Sequence, residues 1–202
     1  METMNEALKV LKEGGVILYP TDTVWGLGCD ATNPEAVAKI YEIKKRSDSK
    51  SLVLLANDLN MVCRYIKEMP FIAEELVEVN DRPMTLIYPG AICGKAPAEG
   101  EKPVFGKHLL AYNVVAEDGT VGIRIPQMEF CRQLIYKLGR PIVSTSANIS
   151  GEDTPHCFEE ISEEILSAVD YVVDQKLEKE STGIASQIIK VALDGEVQII
   201  RS

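Results

Sequence analysis

Positive charge is what this chain most lacks. Over 202 residues, 21 Lys and Arg stand against 31 Asp and Glu, a formal net charge of −10. A protein built to grip duplex RNA carries a basic face, so wide electrostatic binding to nucleic acid is disfavoured and any functional cations must be local. Only two histidines occur, His108 and His156, and neither has metal-ligand or triad spacing. The five cysteines (Cys29, Cys63, Cys93, Cys131, Cys157) are odd in number and scattered. That spacing excludes a disulfide framework or zinc ribbon and points to reduced thiols in a cytoplasmic protein. No apolar run approaches the ~20 residues that span a bilayer, and Met1–Glu6 has neither the basic start nor the apolar stretch of a secretory leader. No membrane partner is expected. There is no internal repeat and no low-complexity linker, so residues 1–202 read as a single domain with a sizeable core.

Two familiar nucleotide-binding signatures are also missing. Gly26-Leu27-Gly28-Cys29-Asp30-Ala31 fits G-x-G-x-x-A, but the preceding strand ends near Tyr19 and the next helix starts near Pro34, so these glycines open no helix. Gly90-Ala91-Ile92-Cys93-Gly94-Lys95-Ala96 has three residues between its glycines where a P-loop needs four, and no Ser or Thr follows its lysine. Any nucleotide must be held by another device.

What is there is alternation of short strands and helices. Helices are expected over 4–13, from Asn33-Pro34 to Lys44-Lys45-Arg46, and over 58–66, 71–79, 127–138 and 158–168. In the 71–79 helix, Phe71, Ile72, Leu76 and Val79 read as the inner face. Strands are expected at 16–19, 52–55, 84–88, 121–125, 141–143 and 171–173, and as a C-terminal hairpin over 187–191 and 197–200 turned at Asp194-Gly195. About seven strands with interspersed helices and hairpin connections make an α/β protein of α+β type, a mixed sheet with helices on its faces. Residues 89–119, rich in Gly, Pro, Ala and Lys, form a connection long enough to suggest a mobile functional loop.

Three local patterns carry chemistry. In Pro141-Ile142-Val143-Ser144-Thr145-Ser146-Ala147-Asn148-Ile149-Ser150-Gly151 an apolar strand turns into small polar side chains. Alternation on an extended backbone projects Ser144 and Ser146 together, with Asn148 in the same series. Small polar groups at the end of a core strand are costly to bury without partners, which a ligand rich in acceptors supplies; a Ser/Asn-rich turn is the plain alternative. A second polar strand exit, Pro20-Thr21-Asp22-Thr23, leads toward the tight basic cluster Lys44, Lys45, Arg46 and Lys50. Neutralising the helix dipole accounts for one or two of these charges, but not for Lys50 across the Ser-Asp loop. The third is Arg124, set inside the β-branched strand 121–125. It is either an edge-strand arginine facing water or a bidentate clamp on a carboxylate.

Taken in order, YPTDTVWGLGCDA (19–31), Lys44-x-Arg46, PMTLIY (83–88), GIRIP (122–126), STSANISG (144–151) and SQII (186–189) resemble the YrdC-like family, the threonylcarbamoyl-AMP synthases of tRNA modification. The resemblance runs from about residue 14 to residue 201 and implies a single twisted open sheet with a concave site. It also implies that L-threonine, bicarbonate and ATP with Mg2+ are joined into threonylcarbamoyl-AMP with release of pyrophosphate. A separate transfer protein then carries the product to tRNA, which this chain meets only indirectly. On that resemblance Lys44 and Arg46, with Lys50, neutralise the triphosphate. Ser146 and Asn148 hydrogen-bond phosphate or acyl-phosphate oxygens, and Thr120 and Arg201 reach the nucleotide. Thr21, Thr23, Ser144 and Ser186 line the threonine pocket, where Arg124 holds the carboxylate. Three positions depart from the family pattern: Asp81-Arg82-Pro83 replaces Pro-Gly-Pro, Ser47 replaces a proline, and Ser181-Thr182 competes with Ser186-Gln187 as the C-terminal match. The rival readings are an RNA-binding module of the same fold and a carbamoyl-transfer or sugar-phosphate enzyme on the same sheet.

Overall fold

The computed structural model describes residues 2–46, 52–98, 100–102, 106 and 108–202. Helix α1 (Glu2–Lys12) stops at Gly14, whose φ of +75° lets the chain reverse into strand β1 (Ile17–Tyr19). Strand β2 (Gly26–Gly28) returns antiparallel beside it. A Cβ on Gly28 would sit 2.5 Å from the Tyr19 ring and 3.0 Å from the Val143 carbonyl, so only glycine fits between them. Helix α2 (Pro34–Ile43) starts as its sequence dictates: the Asn33 side chain accepts from the amides of Glu35 and Ala36, with Pro34 at the first helical position. Then follow β3 (Val53–Leu55), α3 (Leu59–Cys63), α4 (Phe71–Val79), β4 (Met84–Tyr88) and β5 (Val121–Arg124). Helix α5 (Glu129–Leu138) ends at left-handed Gly139. After it come β6 (Ile142–Val143), β7 (Thr145–Ser146), α6 (Glu163–Ala168), β8 (Tyr171–Val172), β9 (Gln187–Val191) and β10 (Val197–Arg201).

The fold class is the expected one, but the strands number more than seven and form two hydrogen-bonded sheets in place of one. Four strands lie in the order β7-β2-β1-β8 and six in the order β10-β9-β4-β5-β3-β6. The chain passes from the second sheet to the first at Ser144, between β6 and β7, which makes the STSAN segment the seam. Trp25, Tyr19, Tyr65, Tyr88 and the aliphatic faces of the strands fill one continuous core.

Two local expectations change. Of the inner face expected for α4, Ile72 and Leu76 pack against the core, but Phe71 and Val79 are 60% and 80% exposed. Expected helix 158–168 is a 3-10 turn at Phe158–Glu160 followed by α6, with Ser162 capping the latter through the Ile165 amide. Within 89–119, Leu110, Ala111, Asn113 and Val114 are buried and anchor the connection to α2. Tyr41 Oη donates to the Asn113 carbonyl at 2.8 Å, and Asn113 Nδ2 donates to Pro34 O at 3.0 Å.

Candidate functional site

Arg124 ends β5, which lies between β4 and β3; it is an interior-strand residue, and the edge-strand alternative falls away. The side chain is 3% exposed and both terminal guanidinium nitrogens have partners. Nη1 pairs with Asp22 Oδ1, while Nη2 donates to Thr21 Oγ1 at 3.3 Å and Thr23 Oγ1 at 3.2 Å. The second Asp22 oxygen accepts from the Gln127 amide at 3.1 Å, and the two threonine hydroxyls lie 2.8 Å apart. Thr21 also donates to the Val24 carbonyl at 2.8 Å. An internal carboxylate thus already occupies one edge of the guanidinium, and the threonines hold another donor. Two hydroxyls clamp this loop from behind: Ser181 Oγ donates to Thr23 O at 2.6 Å and Thr182 Oγ1 to Asp22 O at 3.0 Å. The Ser181-Thr182 pair therefore supports the Thr21–Thr23 loop through its backbone.

The seam is held by Lys44. Its side chain leaves the C-terminus of α2 and is 3% exposed, and Nζ donates to the carbonyls of Ser146 at 2.6 Å and Asn148 at 2.7 Å. Burial, reinforced by the nearby charge of Arg46, lowers its pKa from 10.5 to about 8. Strand pairing fixes the same segment from the other side, with Gly26 opposite Ser146 and Leu27 opposite Thr145. A Cβ on Gly26 would come within 3.3 Å of Ser144 Oγ, so the backbone passes close to that hydroxyl. Asn148 Nδ2 donates to Ile149 O at 3.0 Å and Glu152 O at 2.9 Å, whereas its buried Oδ1 has no hydrogen-bond partner.

Between the two sheets these elements enclose a cleft of about 180 Å³, open to solvent. Its lining includes Thr23, Trp25, Gly26, Arg46, Arg124, Ser144, Ser146, Thr154, Ser186 and Arg201. Arg46 is half-buried, its guanidinium 6.0 Å from the Tyr41 ring centroid, and burial lowers its pKa. Ser186 shares a 2.8 Å hydrogen bond with Thr85, so the register of β4 against β9 sets its position. Arg201 reaches the cleft through a bulge in β10. Ile199 pairs with Ile189, yet Arg201 pairs with Ile188, which skips Ile200 and puts the arginine on the face of Ile188 that borders the cleft. Its Nε and Nη2 donate to the Ser186 carbonyl at 3.0 and 2.6 Å.

Of the residues expected at the site, Thr23, Arg46, Arg124, Ser144, Ser146, Ser186 and Arg201 line one cleft. Thr21, Lys44 and Asn148 stand directly behind it, bonded to lining residues or to the seam. Thr120 is not brought there: it sits at the far end of β5 from Arg124, with its hydroxyl donating to Asp118 at 2.6 Å. Lys50 lies outside the described residues. Sequence reasoning missed Asp22, Thr154 and Trp25. The Trp25 indole donates to Glu178 Oε1 at 2.6 Å, and the same oxygen accepts from the Phe158 amide at 2.6 Å. Asp22 was legible as the acid between two threonines; Thr154 and Glu178 carry no local signal.

The family model for Sua5/YciO/YrdC, described as "Telomere recombination", matches residues 9–202. A threonylcarbamoyl-AMP synthase of Pseudoalteromonas translucida is 29% identical over 195 residues, 96% of each chain. That of Stenotrophomonas maltophilia is 32% identical over 196 residues, again 96% of each chain. Among solved structures, P. abyssi Sua5 complexed with L-threonine is similar with a TM-score of 0.73 at 26% identity. It covers 93% of this chain and 50% of that one, so this chain spans about half the length of that protein. Near-complete coverage by the family model, together with the Stenotrophomonas relative, places the chain in the Sua5/YciO/YrdC family.

Proposed function

We infer that the chain is an L-threonylcarbamoyladenylate synthase. Its amino acid is L-threonine, whose amine condenses with bicarbonate to give N-carboxy-threonine and water. The new carboxylate attacks the α-phosphorus of ATP; the bond to the β-phosphate oxygen breaks, and pyrophosphate leaves as threonylcarbamoyl-AMP forms. The relatives matched along 96% of their length carry that activity in their names. One observation carries the reading for this chain: in a molecule of net charge −10, a single cleft is lined by Arg46, Arg124 and Arg201 and by no carboxylate among the lining residues.

Three mutually repelling anions must meet in this reaction, so the protein's work is positioning and charge neutralisation. Arg46 and Arg201 take the phosphates, and Mg2+ enters with ATP as its counter-ion. Ser144 and Ser146 offer hydroxyls to the acyl-phosphate region. Lys44 acts by fixing the Ser146 and Asn148 carbonyls, which aims that segment at the cleft. Thr23 and Ser186 border the threonine side, where Arg124 donates to the Thr23 hydroxyl. Asp22 already covers one edge of Arg124, so the substrate carboxylate takes the side on which the Thr21 and Thr23 hydroxyls lie. The product is a mixed anhydride that water destroys. A cytoplasmic partner transferring it to tRNA is therefore the expected consumer, and tRNA itself is met only through that partner.

Incubation with ATP, Mg2+, bicarbonate and each amino acid in turn, with mass detection of the adenylate, tests this directly. Threonine alone should give the adduct and stoichiometric pyrophosphate. Pyrophosphate release without threonine, or an adduct with another amino acid only, rejects the reading.

A further inference from the structure

A second cavity, of about 490 Å³, lies on the other face of the sheet that carries Arg124. Pairing of β4 with β5 sets Thr85 opposite Arg124 and Leu86 opposite Ile123, so alternate residues face opposite ways. Thr85 and Arg124 look toward the cleft. Met84, Leu86, Tyr88, Ile123 and Ile125 form the apolar floor of the second cavity. Helix α4 crosses this face and contributes Val77 to the lining, while Met84, Leu86, Tyr88 and Ile123 lie at the bottom of the cavity, each 8% exposed or less.

The rim is polar and unevenly charged. Arg82 and Arg132 line it, and neither forms an ion pair or hydrogen bond through its side chain among the described residues. The lining holds one carboxylate, Asp58, and it is committed: Oδ1 accepts from the Met61 amide at 2.8 Å and Oδ2 from Asn57 Nδ2 at 3.1 Å. The side-chain amides of Asn60 and Gln127, also in the lining, form no hydrogen bond among the described residues. Two free guanidiniums in an acidic protein suit phosphate, side-chain amides suit the edge of a nucleobase, and an apolar floor suits a flat ring. The volume falls within the roughly 300–1,000 Å³ of small-molecule sites.

We propose that this cavity is a second ligand site, for a nucleoside monophosphate, and that its occupancy is coupled to the cleft. The link is one residue thick: Gln127 is part of the cavity lining, and its backbone amide donates to the Asp22 oxygen not used by Arg124. A ligand that moves Gln127 shifts Asp22 and hence the Arg124 clamp, which are two ends of one hydrogen-bonded unit. The site itself does not depend on the activity inferred above, because no residue lining the cleft lines it, whereas its coupling to threonine rests on that reading.

Amide NMR spectra of the chain titrated with AMP test the site. AMP should shift the amides of Asn60, Asn80 and Gln127 and, through Asp22, that of Arg124. These shifts should persist in Arg46→Ala/Arg201→Ala, which removes cleft cations. In Arg82→Glu/Arg132→Glu, a change confined to the rim and expected to leave the fold intact, affinity should fall about tenfold or more. Shifts confined to cleft residues, shifts lost with the cleft substitutions, or no shifts at millimolar AMP each overturn the proposal. Identical shifts from inorganic phosphate overturn the nucleoside assignment. With AMP bound, the threonine KM of the wild type should change and that of the rim variant should not; an unchanged wild-type KM removes the coupling.

Discussion

At Lys44 a buried ammonium meets two carbonyls and no carboxylate. Its folded pKa of about 8 lies below its ordinary 10.5. Between those values the unfolded chain binds the extra proton, so stability rises with pH through that window, whereas at pH 7 the folded state bears the full burden, on the order of 3 kcal/mol. Lys44→Met removes the titration. Urea unfolding at pH 7.5 and again at pH 10 should show the wild type gaining stability relative to Lys44→Met; a constant difference would mean that the ammonium is not strained. The same variant leaves the Ser146 and Asn148 carbonyls without their donor, so pyrophosphate release should fall at least tenfold even where the chain stays folded. Asp22 gives the complementary case. Asp22→Asn keeps the shape but strips Arg124 of its buried counter-charge, which should destabilise the fold by about 3–5 kcal/mol in thermal or urea unfolding. A loss under 1 kcal/mol would show that the threonine hydroxyls alone satisfy the guanidinium.

Whole elements place these side chains, and here the sequence was uneven. Strand β4 and helix α4 lie at 84–88 and 71–79 as read, because long apolar runs and a clear period specify them. Strand β2 was unreadable: two of its three residues are glycines, and it exists because β1 and β7 clasp it from both sides. Gly28→Ala tests that tertiary origin. The added methyl would meet the Tyr19 ring and the Val143 carbonyl, so a loss of about 1–3 kcal/mol is expected, with Ser146 displaced along with β2. A neutral Gly28→Ala would mean that the two sheets separate easily. The inner face of α4 was half legible: Ile72 and Leu76 pack against the core, but periodicity marks an apolar stripe without saying how far the core extends beneath it, and Phe71 and Val79 stay exposed. The bulge in β10 was equally silent, since nothing in Val-Gln-Ile-Ile-Arg marks which residue is skipped. Deleting Ile200 removes the extra residue and leaves Arg201 opposite Ile188, so ATP-dependent activity should survive within a few-fold, whereas Arg201→Ala should lower it about tenfold or more. Loss of activity on deletion would show that the bulge itself, and not the face it selects, is required.

Over the whole molecule the relevant balance is between a net charge of −10 and a cleft bordered by three arginines. Six separated motifs announced that these cations matter, but not their arrangement. Lys44 turns inward to the seam and Asp22 joins unannounced, because both outcomes depend on contacts over 100 residues away in sequence, whereas Thr120 stays with Asp118 two residues before it. Charge at two ranges leads to a last prediction. The global negative field repels ATP at distances beyond about 10 Å, where ~0.1 M salt screens it, while the cleft arginines act at contact range and are screened far less. Raising salt from about 20 to about 200 mM should therefore leave the ATP KM unchanged or lower it slightly. An RNA-binding module of this fold would behave oppositely, losing affinity steeply as counterions compete for its phosphate contacts. Steady-state pyrophosphate release across that range, beside a tRNA mobility-shift series in the same buffers, separates the two. A KM for ATP that climbs tenfold with salt, together with a salt-sensitive tRNA complex of the isolated chain, would place the functional positive charge on an open surface and not in the cleft.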